Sequence, residues 1–280
     1  MEPGIPVPGI LPVPGILPVR IGGLGNQIFI VVAGYISAKE LNVPLYIQDM
    51  TCEAHQTVKE DYKNSIFWFG THCIDLSYPP FSPEVFSAWS PQSVRPGTSL
   101  SSYFQYYPAI LPYEDEVRAL LLKGLEPYRC RLKELYPETY AFVHVRRGDY
   151  IRASHIHYIQ PIEYFQRAVD LLSVQKVLVV SDDMDWVAAQ PFFQESRFQL
   201  VRGLDELETL ALLTLCTEAV CSNSTFSWWG AFLGAHATRN RVIVPQRWIN
   251  PSYFSTGDWP RVEGVPVPNL FPKEWIILPG

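Results

Sequence analysis

Two adjacent arginines close an apolar run in Phe142-Val143-His144-Val145-Arg146-Arg147-Gly148-Asp149-Tyr150. The residues from Ala141 to Val145 read as a buried strand, and the strand itself has no use for two guanidinium groups at its carboxyl end. A polyanion does, because arginine offers a planar fork of N–H groups matched to phosphate oxygens. In open α/β sheets, ligands bind beyond the carboxyl ends of the strands. Arg146 is therefore a candidate for holding a phosphate-bearing ligand. Taken alone, the same four residues also suit a solvated pair on a Gly-Asp turn, since arginines are mostly exposed.

Three further clusters carry possible chemistry. Ser181-Asp182-Asp183 follows the apolar run Val177-Leu-Val-Val180. Acidic residues there can accept from a ribose or a base edge, cap the next helix, or ligate a divalent cation, the last being the weakest of the three readings. Cys221-Ser-Asn-Ser-Thr-Phe-Ser-Trp-Trp-Gly230 follows a strand with Ser222, Asn223, Ser224, Thr225 and Ser227 and leads into a helix. Hydroxyls and unpaired N–H groups at a helix start form a neutral anion cradle, and an ordinary cap needs only one such residue. Gly25-Asn26-Gln27 lies in a glycine-rich loop that opens the first helix, another common phosphate cradle.

These residues need a scaffold that brings loops together. Val19 to Ile21 reads as a first strand, the apolar run from Asn26 as a buried helix, and Pro44 to Gln48 as the next strand. Thr51 to Pro112 lacks a clear period. Glu114–Leu122 and Tyr128–Leu135 read as two helices. From 141 onward, strands at Ala141–Val145, Lys176–Ser181, Phe198–Val201, Ala219–Cys221 and Arg241–Val244 alternate with helices at Ile162–Leu172, Met184–Ala189, Asp205–Leu215 and Ser224–Gly234. That alternation implies parallel sheets with helices on both faces. The fold class expected is α/β, with an extended Pro/Gly-rich arm over residues 1–18, a lobe over 19–137 and a second lobe over 138–280 whose proline-rich tail wraps back over the body.

Composition agrees and excludes some classes. The 280 residues are 48% hydrophobic and 18% charged, enough to bury a substantial core. A net charge of −6 argues against broad nucleic-acid binding. No apolar run is long enough for a membrane span. The arm repeats Pro-Val-Pro-Gly-Ile-Leu from Pro6 and from Pro12, which rules out a helix there and makes a poor signal peptide. Five cysteines at 52, 73, 130, 216 and 221 form no zinc pattern and read as free buried thiols. Together these point to a cytoplasmic protein.

Four segments in order resemble the α-1,2-fucosyltransferases: Gly22-Gly-Leu-Gly-Asn-Gln27, His144-Val-Arg-Arg-Gly-Asp-Tyr150, Ser181-Asp-Asp-Met-Asp-Trp186 and Ser222-Asn-Ser-Thr-Phe-Ser-Trp-Trp-Gly-Ala231. Tyr103-Phe-Gln105, followed by Glu114-Asp-Glu116, adds a weaker match. The resemblance implies two Rossmann-like lobes facing a cleft, the GT-B architecture. It implies inverting transfer of L-fucose from GDP-fucose to the 2-hydroxyl of a galactose-type acceptor, with no metal and no cofactor beyond that co-substrate. The first lobe would hold the acceptor and the second the sugar donor. It places Gly25, Asn26, His144, Arg146, Asp182, Asn223, Ser224, Thr225 and Phe226 at the sugar donor, with Arg146 on the β-phosphate and Asp182 reading the guanine. Asp149 is the candidate general base, with a turn-holding role as the alternative. Two departures concern the acceptor side: Ile30-Val31 replaces a polar–aromatic pair, and the repeat arm has no counterpart.

Two other classes stand beside this one. Gly23-x-Gly25 with Asp49 downstream is part of a dinucleotide fingerprint, but Ile28 occupies the third glycine position. A non-catalytic nucleotide-sugar-binding module would carry the same motifs without turnover.

Overall fold

The structure, a computed structural model, describes residues 14–48, 61–73, 93–234, 241–250 and 269–279. The first copy of the repeat, Asp49 and the stretch 251–268 of the tail lie outside the described residues. The strands are β1 (Ile16–Pro18), β2 (Tyr46–Gln48), β3 (Thr71–Cys73), β4 (Thr98–Leu100), β5 (Ala141–Val145), β6 (Val177–Ser181), β7 (Phe198–Leu200), β8 (Glu218–Val220), β9 (Val242–Pro245) and β10 (Ile276–Leu278). The helices are α1 (Leu24–Glu40), α2 (Asp61–Asn64), α3 (Tyr107–Ile110), α4 (Glu114–Leu135), α5 (Gly148–Arg152), α6 (Ile162–Val169), α7 (Met184–Ala189), α8 (Glu206–Leu213) and α9 (Thr225–Gly234).

The first lobe pairs β1 with β4 and β2 with β3, all parallel, and a single parallel bridge from Ile16 to Leu45 joins the two pairs. The resulting order is β4-β1-β2-β3. The opening strand lies at Ile16–Pro18, where all three residues are buried, not at Val19–Ile21, where Val19 and Ile21 are only half-buried. The Ile16 N–H donates to Pro44 and the Val19 N–H to Leu100 on the opposite side. Pro18 has no N–H to extend the ladder toward β2, which accounts for the single bridge there.

The second lobe is one six-stranded parallel sheet, ordered β10-β9-β8-β5-β6-β7. The chain builds outward from β5 to β7, returns to β8 beside β5, and builds outward again. This is the doubly wound order, and its switch point, where ligands bind in such sheets, lies between the carboxyl ends of β5 and β8. The last strand, β10, has no strong local signal. Ile276–Leu278 of the tail adds to the sheet edge at Ile243–Pro245 instead of merely wrapping the body.

Both faces of this sheet are buried. Val143, Val145, Val177 and Val179 pack with Tyr164, Phe165 and Val169 of α6 on one side. Phe142, Leu178 and Val180 face a larger apolar cluster on the other. That cluster runs through α8 and α9 into the first lobe, where α1 is buried all round. Phe29 of α1 sits 4.7 Å from each of Trp228 and Trp229. Helix α4 is continuous across Pro127, where the sequence reads as two helices. Val117, Leu121, Leu125 and Leu132 form one buried stripe along it, and packing against α8 outweighs the one backbone bond that the proline removes.

Candidate functional site

Arg146 stands at the carboxyl end of β5, on the switch-point side. The β5–β6 register sets Val145 beside Ser181, so the next residues, Arg146 and Asp182, leave the sheet side by side. Arg146 Nη2 lies 2.8 Å from Asp149 Oδ1, and its Nε lies 3.3 Å from Asp182 Oδ2. One edge of the guanidinium is thus occupied by two carboxylates. The remaining nitrogen, Nη1, has no protein partner among the described residues. The guanidinium also lies 5.3 Å from the Tyr150 ring centre. Burial alone would lower its pKa, but the charges of Asp182, Tyr150 and Asp149 outweigh burial, and the net shift is upward.

Arg147 points elsewhere. Its Nε pairs with Asp183 at 3.3 Å and its guanidinium stacks 4.0 Å over Trp186. Its backbone N–H donates to Asp182 Oδ1 at 2.8 Å. Asp183 also caps α7 by accepting from the Trp186 N–H at 3.2 Å. Both aspartates of the acidic pair are therefore bound to arginines. Among the described residues, no group of three His, Cys, Asp or Glu side chains could hold a metal ion.

The second wall is the loop from β8 to α9. Ser222, Asn223 and Ser224 are all buried, Ser222 and Asn223 completely. Asn223 donates to the carbonyls of Tyr158 at 2.8 Å and Trp248 at 2.7 Å, while its Oδ1 accepts from Gln160 Nε2 at 3.3 Å. Both N–H groups of its side-chain amide and one acceptor site of its oxygen are thus taken up by the protein. Asn223 ties the loops after α5 and after β9 to the switch point. Gln160 completes that tie by donating to the Arg247 carbonyl at 2.6 Å. Tyr150 donates to the Asn223 carbonyl at 2.9 Å, joining this loop to the arginine turn. Gln160 and Arg247 carry no signal in the sequence, because their roles are contacts across 63 and 87 residues of chain.

The first lobe enters at the N-terminus of α1. Asn26 Oδ1 accepts from the Thr225 hydroxyl at 2.8 Å and from Gln105 Nε2 at 3.1 Å. Trp229 Nε1 donates to the Gly25 carbonyl at 3.0 Å. The N-termini of α1 and α9 therefore abut, and both present the positive end of a helix to the same region. Gly25, Asn26, Thr225 and Phe226 are brought together. Gly25 is needed there, since a Cβ would lie 2.5 Å from the Phe226 backbone nitrogen.

The sequence profile described as glycosyl transferase family 11 matches residues 92–258, more than half of the chain. The chain belongs to glycosyl transferase family 11. Its described residues form two α/β lobes built on parallel strands, the fold class expected from the sequence. Among its relatives is the O-antigen biosynthesis glycosyltransferase WbnK of Escherichia coli, 31% identical over 59% of this chain and 61% of that protein. The chain thus spans less than two thirds of that relative. The alpha-1,2-colitosyltransferase of Escherichia coli is 24% identical over 86% of this chain and 97% of its own length. Galactoside alpha-(1,2)-fucosyltransferase 2 of Oryctolagus cuniculus is 27% identical over 82% and 70%. Membership sets the dehydrogenase reading aside, and Ile28, in the third glycine position, is a fully buried residue of α1.

Beneath the arginine turn of this family 11 glycosyltransferase lies His144, 5% exposed, with Nδ1 3.1 Å from Ser222 Oγ and its ring 5.7 Å from Phe226. Burial, aided by the Arg146 charge, pushes its pKa from 6.5 down to about 3. It is neutral at physiological pH and braces the two walls from below. The unfolded chain takes up this proton near pH 6.5, while the folded chain refuses it until about pH 3. His144 hence contributes stability that is complete above pH 6.5 and lost as pH falls toward 3. The limiting slope is about 1.4 kcal/mol per pH unit. Thermal unfolding of wild type and His144→Gln over that window should show a shallower acid loss in the variant. Parallel curves would mean that His144 takes its proton in the folded state.

The cysteines divide. Cys216 and Cys221 are buried and in no disulfide, and burial raises the Cys221 thiol to about 12. Cys130 is exposed on α4, contrary to the expectation of buried thiols. Among the described residues no helix is long and apolar enough to cross a membrane.

Proposed function

We propose that the chain transfers L-fucose from GDP-fucose to the 2-hydroxyl of a galactose-containing glycan, with inversion. The observation that carries this reading is the placement of Arg146 at the end of β5, opposite the Ser222–Thr225 loop at the end of β8. Departure of GDP builds negative charge on its β-phosphate. A fixed guanidinium and the N–H groups at the start of α9 stabilise that charge as it forms. The α-1,2 linkages named in the relatives agree with this choice. No cation is required, because Arg146 takes the neutralising role and Asp182 and Asp183 are paired with arginines.

The direct test is incubation with GDP-fucose over an array of galactose-terminated glycans, with linkage analysis of the product. Formation of an α-1,2-fucosyl galactoside, unchanged in excess EDTA, is the expected result. GDP-fucose hydrolysis without transfer to any glycan would refute the acceptor class. Activity that vanishes with EDTA and returns with magnesium or manganese would refute the metal-free mechanism. Binding of GDP with neither transfer nor hydrolysis would favour the non-catalytic module.

The incoming hydroxyl must lose a proton, and Asp149 is proposed to take it. One oxygen of Asp149 holds Arg146, and the side chain is 60% exposed. Asp149→Asn keeps an oxygen able to accept from Arg146 but cannot take the proton. It should lower kcat by about 10²–10⁴-fold with GDP affinity and melting temperature near wild type. If calorimetric titration finds GDP affinity falling in step with the rate, Asp149 serves to hold Arg146 and is not the base.

A further inference from the structure

Asp182 has the position of a ligand-reading acid, but its carboxylate is already engaged. Its Oδ1 accepts from the Arg147 backbone N–H at 2.8 Å, and its Oδ2 faces Arg146 Nε at 3.3 Å. These contacts fall on consecutive residues of the turn that leaves β5. The third residue of the turn, Gly148, fits against the same group: a Cβ there would lie 2.6 Å from Asp182 Oδ2 and 3.1 Å from its Cγ. One carboxylate is thereby packed or bonded against Arg146, Arg147 and Gly148 in succession. Its own position is set by the strand register that places Ser181 beside Val145.

We propose that Asp182 is a positioning residue that clamps the Arg146-Arg147-Gly148 turn and aims the Arg146 guanidinium, and that it does not read the nucleotide base. This rests on the sugar-nucleotide reading given above. The Nε edge of Arg146 is turned to the carboxylates, so the terminal nitrogen Nη1 is the part left for phosphate. Loss of the clamp acts on every ligand that carries a diphosphate, whatever its base. Loss of a base reader acts on guanine alone.

The experiment is calorimetric titration of wild type and Asp182→Asn with GDP, ADP and inorganic pyrophosphate, with kcat at saturating GDP-fucose. The asparagine keeps an acceptor for the Arg147 N–H but removes the charge that holds Arg146. Removing an opposite charge 3.3 Å from a partly buried guanidinium corresponds to a roughly 10–100-fold change in affinity. The expected result is weakening of all three ligands by a common factor in that range, with the GDP-to-ADP ratio and the binding stoichiometry unchanged and kcat reduced. A merely misfolded variant would lower the stoichiometry instead. Should Asp182→Asn fail to fold, Gly148→Ala perturbs the same carboxylate from the other side and should give the same pattern. The proposal is overturned if GDP affinity drops to the level of ADP while ADP and pyrophosphate are unaffected, for then Asp182 reads guanine. It is also overturned if no ligand weakens. A wild type that shows no preference for GDP over ADP overturns the donor assignment itself, and this proposal with it.

Discussion

Replacement of Arg146 by lysine should lower kcat about 10²–10³-fold, the usual cost of losing one preorganised group that stabilises transition-state charge. Charge is conserved, so the loss measures geometry. Arg146 meets Asp182 through Nε and Asp149 through Nη2 at the same time, and still has Nη1 to offer. A lysine ammonium is a single point on a flexible stem. It can sit near one carboxylate but cannot span both and hold a fixed direction toward a phosphate. Arg147→Lys is the control, because its side chain leaves the strand end in the other direction, toward Asp183 and Trp186. It should cost some stability through lost stacking and much less rate. Steady-state kinetics with GDP-fucose, with each variant's melting temperature measured alongside, separates the two. Equal loss of kcat, or a greater loss at Arg147, would mean that the phosphate meets the other arginine.

Gly25→Ala should damage stability and nucleotide binding together, while Gly23→Ala, two positions earlier, should do neither. A Cβ on Gly25 would lie 2.5 Å from the Phe226 nitrogen and from the Thr225 carbonyl carbon, and 2.7 Å from the Thr225 hydroxyl. Two of those contacts are backbone, so no side-chain rotation relieves them. The start of α1 must move away from the start of α9, which stretches the Asn26–Thr225 and Gly25–Trp229 hydrogen bonds. Overpacking of this kind typically costs about 1–3 kcal/mol. At roughly 2–4 °C per kcal/mol for a chain of this size class, the melting temperature should fall by several degrees. GDP should then raise it less than in wild type, because the two helix ends no longer converge. Gly23, by contrast, has extended backbone as the N-cap of α1, and a methyl group added there would meet nothing within 4 Å. Alanine is tolerated there and gains slightly from a less flexible unfolded chain. If the two variants melt alike, the helix ends are not wedged as described.

Local pattern made much of the second lobe legible. Val177 to Val180 is too continuously apolar for anything but a buried strand, and Met184–Ala189 is a helix with the bounds read from the sequence. Arg146 at a strand end is equally local information, since strand, turn and arginines occupy nine consecutive residues. Strand order was not in the sequence. Nothing local says that β8 returns beside β5, and without that step Arg146 and the Ser222–Thr225 loop are merely 76 residues apart at their nearest. The same holds for β10, whose three residues find their partner only when the sheet exists, and for α4, where a stripe packed on α8 overrides Pro127. Side-chain duties follow this rule. Asn223 and Asp182 have the residue types of ligand contacts, yet one bonds to carbonyls and a glutamine from two loops, and the other is drawn to the neighbouring strand's turn. Sequence determines which groups are available at a strand end. Only the tertiary structure decides which of them are already spent on the protein, because a buried polar group bonds to whatever partner the fold sets beside it.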